Sequence, residues 1–289
     1  MDVKFVLILC TLFVCGLTAR LPKVRISTFR ESTKTSASRN EATRGAIIGR
    51  IANGQPATPN QIPYQCVVLS PVGRAFSLCG GSIISAEWVL TAAHCAVGYS
   101  QYNLRFGSIT STIGGQVQTS FESIIHPDYN SKNLNNDIAI ISIPTPLTFS
   151  PSIQSIRLPT NSQIGSTFRD VSAVVSGWGT TSHGGFTSQT LNWAGMRVIG
   201  NGECSDVYGE DVVVDHVVCA TGSGGPTQGH CPGDSGSPLT IVEGGVRTQI
   251  GVVSFGATAG CDLSYPSGYM RTANFIHWIN EQTGIAVRP

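Results

Sequence analysis

Charge is scarce in this sequence, and so are long apolar runs. Only 12% of its 289 residues are charged while 41% are hydrophobic, a balance typical of a folded globular protein rather than a disordered one. After the N-terminal twenty residues, no apolar stretch approaches the ~20 residues of a membrane-spanning helix, so no membrane association is expected. The arginines are scattered without interleaved aromatic residues, which argues against a nucleic-acid partner.

The net charge of +1 hides an asymmetry between the two ends of the chain. Residues 1–50 contain nine Lys/Arg and three Asp/Glu, whereas residues 51–289 contain nine and fourteen. Lys4 precedes an apolar run that ends in small residues near Ala19, the pattern of a signal peptide over residues 1–19. Residues 20–50 are rich in Ser, Thr and Arg and have little to bury, which predicts a flexible pro-segment. We therefore expect a secreted, extracellular protein.

The cysteine count points to the same compartment. Cys10 and Cys15 lie in the predicted signal peptide, which leaves seven cysteines, an odd number, for the secreted chain. One of them must be unpaired or bridge elsewhere, and spacing alone leaves the connectivity open. Residues 20–50 contain no cysteine, so cleavage after this segment should release it entirely.

From Pro63 onward, short apolar runs alternate with Gly, Pro, Ser and Asn. Many short strands with such turns are typical of an all-β barrel or sandwich. The exception is the segment 272–284, where Phe275, Trp278 and Ile279 recur at helical spacing and Gly284 can end the helix. The sequence predicts a mostly β domain with one C-terminal amphipathic helix.

Three short strings contain the residue types that nucleophilic catalysis needs. His94 stands in Leu-Thr-Ala-Ala-His-Cys, Asp137 in Asp-Ile-Ala, and Ser235 in Gly-Asp-Ser-Gly. A serine hydroxyl is a weak nucleophile at neutral pH, so it needs an imidazole to accept its proton and a carboxylate to hold that imidazole's tautomer. The order His, Asp, Ser differs from that of subtilisins and of α/β-hydrolases, and Ser237 stands where the hydrolase motif G-x-S-x-G has its second glycine.

Each of the three residues alone has an ordinary structural explanation. A histidine in an apolar run is commonly a core residue, an aspartate after two asparagines fits a turn, and a serine among glycines fits any loop. Three together, in one order and in matching contexts, favour catalysis. Ser235 is then the nucleophile, His94 the general base and acid, and Asp137 the residue that orients His94.

From about Ile51 to the C-terminus, the chain resembles the trypsin/chymotrypsin-type serine proteases, in their chymotrypsin-like, invertebrate digestive form. The resemblance implies two antiparallel six-stranded β-barrels with the active site in the cleft between them and a C-terminal α-helix. His94 and Asp137 come from the first barrel and Ser235 from the second, within a protease domain at residues 51–289. Besides the three strings, it rests on Cys79-Gly-Gly-Ser82, Ser176-Gly-Trp-Gly179, Ser254-Phe-Gly256 and Pro266-Ser-Gly-Tyr269.

The resemblance also assigns the cysteines and the oxyanion hole. It implies the disulfides Cys79–Cys95, Cys204–Cys219 and Cys231–Cys261. Cys66 is left over in a strand-like run, where cysteine is more often a small buried hydrophobe than a reactive thiol. The backbone N–H groups of Gly233 and Ser235 are the implied oxyanion donors. No metal or organic cofactor is required, and the loop after Gly107 lacks carboxylates for a calcium site.

Asp234 has a separate implied role in activation. In this family a new N-terminal ammonium inserts beside the corresponding aspartate and assembles the oxyanion hole and the pocket. Arg50-Ile51-Ala52 supplies the cleavage point, whereas the similar string Ile47-Ile-Gly49 lacks the later Gly and Ala at the right offsets. We expect activation after Arg50 by a separate trypsin-like protease, with Ala52 in place of the usual Val or Ile.

The resemblance further predicts the substrate preference. Gly229 stands at the base of the specificity pocket, where trypsins have Asp, and Gly256 and Ser267 add no charge. Ser254 and Phe255 complete the substrate-binding set, with Phe255 in place of the usual Trp. Large apolar or aromatic side chains are therefore expected before the cut. A broad collagenolytic or elastase-like preference is the alternative, although collagen-cleaving relatives with a pocket-base Gly carry an acid where this chain has Ser267.

A rival from another functional class is a secreted protease homologue that binds partners without catalysis. Such proteins typically lose one of the three catalytic residues, and this chain retains all three. The expected partners are therefore peptide or protein substrates, an activating protease and protein inhibitors of a monomeric enzyme. Digestion, tissue penetration and immune signalling all remain open as biological roles.

Overall fold

The computed structural model describes residues 26–27, 51–225 and 227–289. The predicted signal peptide at residues 1–19 lies outside these residues, as does most of the predicted pro-segment at residues 20–50. The described strands form two sheets in which every neighbouring pair of strands is antiparallel.

The first sheet closes into a barrel through one bent strand. Its strands run in the order β7-β6-β3-β4-β5-β9-β8. Only residues 121–122 separate β7 from β8, and β7 pairs with β6 while β8 pairs with β9, so the bent pair joins the two ends of the sheet. The strands are β3 (Gln65–Val72), β4 (Ala75–Ile83), β5 (Trp88–Thr91), β6 (Tyr102–Phe106), β7 (Gln116–Ser120), β8 (Ser123–Ile125) and β9 (Ala139–Ser142).

The second sheet is a closed six-stranded barrel. Its strands follow the order β14-β13-β10-β11-β12-β15, and a further pairing of β15 with β14 closes the ring. Two short strands attach to its outside: β1 (Ile26–Ser27) to β14 and β2 (Gln55–Pro56) to β11. The two-barrel prediction is confirmed. The barrel strands are β10 (Ser172–Gly177), β11 (Asn192–Ile199), β12 (Val217–Gly222), β13 (Pro238–Glu243), β14 (Val246–Ala257) and β15 (Ser267–Arg271).

Local sequence explains the strands and their turns. β3 is rich in β-branched residues, and most of its side chains are buried because the strand packs inside the first barrel. The hairpin from β13 to β14 turns at Gly244 and Gly245, whose φ angles are +56° and +81°. A two-residue hairpin of this type needs positive φ at both positions, which glycine adopts without steric cost.

Helices are few and short. α1 (Ala93–Ala96) follows β5, α2 (Asn201–Tyr208) follows β11, and α3 (Ile276–Thr283) ends in a left-handed cap at Gly284. The predicted C-terminal helix is confirmed, although its first turn, Thr272–Phe275, is a 3₁₀ helix. Another 3₁₀ turn spans Asn161–Gln163. Among the described residues, no helix has the length and apolar character needed to cross a bilayer.

Within the described part of the chain, three disulfides tie the loops, and they join the pairs that the resemblance implies: Cys79–Cys95, Cys204–Cys219 and Cys231–Cys261. Cys66, on β3, is a free cysteine and is fully buried. Burial raises the pKa of the Cys66 thiol, so this side chain remains protonated at neutral pH.

Candidate active site

The chain brings His94 and Asp137 into direct contact across the first barrel. His94 lies on α1 after β5, and Asp137 lies just before β9, the neighbour of β5. The His94 Nδ1 atom is 2.7 Å from Asp137 Oδ2, and the His94 backbone N–H donates to Asp137 Oδ1 at 2.8 Å. Both residues are buried. A carboxylate at this distance fixes the ring orientation and favours the tautomer with its proton on Nδ1.

Asp137 also binds the second barrel. The hydroxyl of Ser254, on β14, donates to Asp137 Oδ2 at 2.6 Å. The buried carboxylate thus receives hydrogen bonds from the imidazole, from a backbone amide and from a hydroxyl, which offsets its removal from water. Ser254 was expected on the substrate side of the cleft, and the contact gives it a role in holding Asp137 as well.

Ser235 is held beside the strand segment that leads to His94. It lies in the loop between β12 and β13, and its carbonyl accepts a 2.8 Å hydrogen bond from the Gly80 backbone N–H. Gly236, at φ +80°, packs so tightly that a Cβ there would lie 2.1 Å from Thr91 Oγ1. Because Thr91 is three residues from His94, this close approach brings the nucleophile loop against the histidine segment. Only glycine fits it.

Gly233 has a similar constraint on the opposite side of Ser235. Its φ is +95°, and a Cβ would lie 3.0 Å from the Gly179 Cα atom. A side chain here would therefore be strained in the backbone and crowded by its surroundings. Glycine is therefore the residue that this turn of the nucleophile loop favours, and the oxyanion-donor role of the Gly233 and Ser235 N–H groups stays a prediction.

Asp234 is fully buried directly behind the nucleophile. Its Oδ1 accepts a 2.7 Å hydrogen bond from the Gly179 N–H, and its Oδ2 accepts one of 2.9 Å from the Cys231 N–H. A Cβ at Gly177 would lie 2.1 Å from Asp234 Oδ1, so the glycines of Ser176-Gly-Trp-Gly179 make the space for this carboxylate. Burial raises the pKa of Asp234 to about 7, and the two backbone hydrogen bonds only partly offset this effect.

The segment that begins at Ile51 docks beside this carboxylate's loop. Ile51 is fully buried in the core of the second barrel, and Ala52, also fully buried, forms an antiparallel bridge with Gly229. Gln228 Nε2 donates to the Asn53 carbonyl at 2.9 Å. The small side chain of Ala52 is therefore buried, and its backbone pairs with Gly229, the residue predicted at the base of the pocket.

The residues of the expected specificity pocket gather around Gly229. A Cβ on Gly229 would lie 3.2 Å from Ser267 Oγ and 3.6 Å from the Cys261 carbonyl, so Ser267 faces the glycine directly. Phe255 is fully buried, and its ring packs over Gly268 and edge-on against Tyr208 at 5.3 Å between ring centres. Phe255 thus contributes a buried wall and its backbone, rather than an open aromatic surface.

His230, next to the pocket base, was not singled out by the sequence analysis. It is buried and lies edge-on to Tyr269 at 5.5 Å between ring centres. Burial, together with the nearby His94, lowers the pKa of His230 to about 4. The ring is therefore neutral at neutral pH and adds no charge to the pocket.

A buried glutamine joins the two barrels beneath the nucleophile loop, and it too was missed. Gln65, on β3, donates from Nε2 to Ser237 Oγ at 3.0 Å and accepts from Ser176 Oγ at 2.7 Å. Ser237, which replaces a glycine usual in the family, is thus a partner in a polar network. A single glutamine in an apolar strand carried no pattern that would have indicated this network.

Among the described residues, one group of side chains of the types that bind metal ions lies close together: Cys79, His94 and Cys95. The two sulfur atoms are bonded to each other in a disulfide, so neither is a thiolate that could bind a metal ion. The disulfide instead ties α1, which carries His94, to β4.

A buried carboxylate that holds an imidazole, beside a serine on a loop built from glycines, is the arrangement that serine hydrolases use. A sequence model of the Trypsin family matches residues 51–279. The chain belongs to the trypsin family and is a serine endopeptidase of its chymotrypsin-like group.

Several relatives match over most of the chain. Brachyurin from Leptuca pugilator is 36% identical over 81% of this chain and 99% of its own length. Chymotrypsin from Phaedon cochleariae is 36% identical over 79% and 80% of the two chains, and a collagenase from Hypoderma lineatum is 34% identical over 82% and 88%. The solved structure of HL collagenase superimposes with a TM-score of 0.74 at 33% identity, covering 82% of this chain and all of that one.

Proposed function

We propose that this chain is the zymogen of a secreted, chymotrypsin-like endopeptidase that cuts after large apolar or aromatic residues. The observation that carries the preference is the uncharged pocket base, where Gly229 faces Ser267. An Arg or Lys side chain bound there would lose its hydration without gaining a counter-charge. A large apolar side chain would gain from burial in the same space.

The proposed reaction uses the described groups in their expected roles. His94 accepts the Ser235 proton as Oγ attacks the scissile carbonyl, and Asp137 stabilises the imidazolium that forms. The N–H groups of Gly233 and Ser235 bind the developing oxyanion, a type of interaction for which one donor contributes about 3 kcal/mol. His94 then protonates the leaving amine, and water hydrolyses the acyl-enzyme by the reverse sequence.

Activation is proposed to follow cleavage of the Arg50–Ile51 bond. Ile51 has a φ of +37°, which is unfavourable for a β-branched residue and typically costs about 1–3 kcal/mol. Cleavage removes the preceding carbonyl and so relieves this constraint. The new ammonium of Ile51 would supply Asp234 with the positive partner that its two backbone hydrogen bonds do not provide.

The preference is tested by comparing peptides that differ only in the residue before the cut. The activated enzyme should cleave Phe and Leu peptides roughly 100-fold faster than an Arg peptide, since the Arg charge would be buried unpaired. Gly229→Asp is the matched variant, and it should raise cleavage of the Arg peptide. Faster cleavage of Arg than of Phe by the wild type would overturn the proposal.

The second candidate is a broad, collagenolytic or elastase-like preference, which the brachyurin and collagenase relatives favour. The same peptide set, extended to Ala, Gln and collagen-derived sequences, separates the two. Comparable rates for small, polar and aromatic residues would support the broad preference. A strong bias toward Phe, Tyr and Leu would support the chymotrypsin-like one.

A further inference from the structure

His230 directly follows Gly229, the residue predicted at the base of the specificity pocket, and its side chain is buried. The ring lies edge-on to Tyr269 on β15, with 5.5 Å between the ring centres. Burial is the main cause of the low pKa of His230, the nearby His94 lowers it further, and an interaction with the Phe255 backbone acts in the opposite direction. The imidazole therefore has neighbours on β14 and on β15, and it lies near His94.

One face of β15 borders both Gly229 and His230. Ser267 and Tyr269 are two positions apart on this strand, and alternate residues of a strand point to the same face of a sheet. Ser267 Oγ lies 3.2 Å from a Cβ built on Gly229, and the Tyr269 ring packs against the His230 ring. The imidazole is therefore placed on the Ser267 side of the predicted pocket.

One nitrogen of this imidazole lacks a partner. The Nδ1 atom of His230 is shielded from solvent and has no hydrogen-bond partner in the part of the chain that the structure describes. Buried polar atoms are nearly always hydrogen-bonded, because an atom left without a partner loses its interaction with water and gains nothing in return. A polar atom in this state beside a predicted binding pocket indicates a place for a hydrogen-bonding group of the ligand.

The chemistry of the ring defines which group fits. A pKa of about 4 leaves His230 uncharged at neutral pH, so one ring nitrogen donates a hydrogen bond and the other accepts one. An uncharged ring supplies no counter-charge for an acidic or a basic side chain. A hydroxyl or a carboxamide group both donates and accepts, so it can pair with Nδ1 in either tautomer. Tyr and Gln have these groups at the end of a long side chain.

We propose that His230 is a specificity-determining residue of the predicted pocket, whose Nδ1 atom binds the hydroxyl or carboxamide group at the end of the substrate side chain before the cut. The enzyme then favours Tyr over Phe and Gln over Met, which are pairs of similar size that differ in this polar group. The inference rests on the proposed function for the position of the pocket. Cleavage after Arg50 breaks neither the Cys231–Cys261 disulfide nor the pairing of β15 with β12, which hold this region in place.

The first experiment compares matched peptides with enzyme that has been cleaved after Arg50. Four substrates differ only in the residue before the cut, which is Tyr, Phe, Gln or Met. We expect kcat/KM to be about tenfold higher for Tyr than for Phe, and about tenfold higher for Gln than for Met, since the added hydrogen bond also satisfies a buried atom. A ratio near one in either pair would overturn the proposal.

Two variants of matched shape separate the hydrogen bond from the fit of the ring. The new side chains of His230→Leu and His230→Asn both branch at Cγ, but only that of Asn has polar atoms there. His230→Leu should lower both ratios to about one, and His230→Asn should keep them at about fivefold or more. Ratios that stay near tenfold in His230→Leu would contradict the proposal, and so would ratios that fall equally in the two variants.

The proposed function is tested apart from this assignment. It fails if an Arg peptide is cleaved faster than a Phe peptide, an outcome that concerns the charge at the pocket base. The Tyr-to-Phe and Gln-to-Met ratios concern the polar atom of His230, so they can fail while the preference for Phe over Arg holds.

A further measurement uses the cleaved wild-type enzyme, so it decides the question even if either variant fails to fold. The nitrogen NMR resonance of His230 Nδ1 is followed while p-cresol, which corresponds to the side chain of Tyr, is added. Toluene, which corresponds to the side chain of Phe, is the control. We expect p-cresol to shift this resonance and toluene to leave it in place, because only the phenol hydroxyl can form the hydrogen bond. No shift up to the solubility limit of p-cresol would overturn the proposal.

Discussion

Two buried aspartates of this protein stand in contrast. Asp137 receives hydrogen bonds from the His94 ring, from the His94 backbone and from Ser254, so both of its carboxylate oxygens have a hydrogen-bond partner. From the described residues, Asp234 receives two hydrogen bonds, both from backbone N–H groups, and burial raises its pKa to about 7. The first site is complete in the uncut chain. Burying the Asp234 carboxylate without a positive partner costs free energy, and a new ammonium at Ile51 would remove that cost. In this way, the proposed cleavage would make activity depend on a buried carboxylate.

The largest effect is expected at Asp137. Asp137→Asn should lower kcat about 10⁴-fold with the fold intact. The amide would favour the wrong tautomer of His94. Steady-state kinetics with a Phe peptide and a circular dichroism spectrum provide the test. A loss below tenfold in a folded protein would contradict the role of Asp137.

Asp234→Asn should change how the free energy of unfolding depends on pH. In the uncut wild-type chain, Asp234 binds its proton more tightly when folded than when unfolded, so the free energy of unfolding should fall as pH rises from about 4 to about 7. The expected change is roughly 4 kcal/mol. The Asn variant should lack this component, as urea unfolding at several pH values would reveal. Identical pH profiles would show that Asp234 is not buried in this way.

In the cleaved enzyme, Asp234→Asn should lower activity. Without the carboxylate, the Ile51 ammonium has no partner, and kcat/KM should fall roughly 100-fold. Cleaved wild-type enzyme should lose activity at high pH as the ammonium deprotonates. A rate that stays flat well into alkali would argue against the ion pair.

Gln65 tests whether the network between the barrels supports the nucleophile loop. Gln65→Ala leaves the hydroxyls of Ser176 and Ser237 buried without this partner, which should cost roughly 2–4 kcal/mol of stability. Urea unfolding measures the loss. Gln116→Ala, at the exposed start of β7, is the matched control and should cost less than about 1 kcal/mol. Equal effects of the two substitutions would remove the special role of Gln65.

The smallest effect is expected at Ser254. Ser254→Ala removes one of the hydrogen bonds to Asp137 while the His94 contacts remain, so kcat should fall about tenfold or less. Steady-state kinetics with a Phe peptide measure kcat, and urea unfolding measures the stability of the variant. A purely structural role would lower the stability and leave kcat of the folded variant unchanged.

Much of this architecture could be predicted because short motifs report on local geometry. The glycines around Ser235 and in Ser176-Gly-Trp-Gly179 indicate close packing, and Asp234 does lie against Gly177 and Gly179. The alternation of short apolar runs with turn residues predicted a mostly β domain, barrel or sandwich, whereas the two barrels were implied by the resemblance to the trypsin/chymotrypsin-type proteases. Such signals are visible because a single residue type satisfies each constraint.

Long-range polar contacts could not be predicted in the same way. Gln65 reads as an ordinary strand residue, and its partners lie 111 and 172 positions away. Ile26–Ser27 has no distinguishing composition, since the pairing with β14 depends on the backbone of a distant strand. The burial of Phe255 against Gly268 also follows from packing between β14 and β15, which the sequence motif alone does not specify.

We propose that Asp234 gains a positively charged partner only when cleavage creates an ammonium at Ile51. The most direct test compares two cleaved forms of the enzyme, one that begins at Ile51 and one that begins a single residue earlier. The extra residue moves the ammonium out of reach of the carboxylate while the triad is unchanged. We predict a kcat/KM at least 100-fold higher for the form that begins at Ile51. Equal activity of the two forms would contradict the claim.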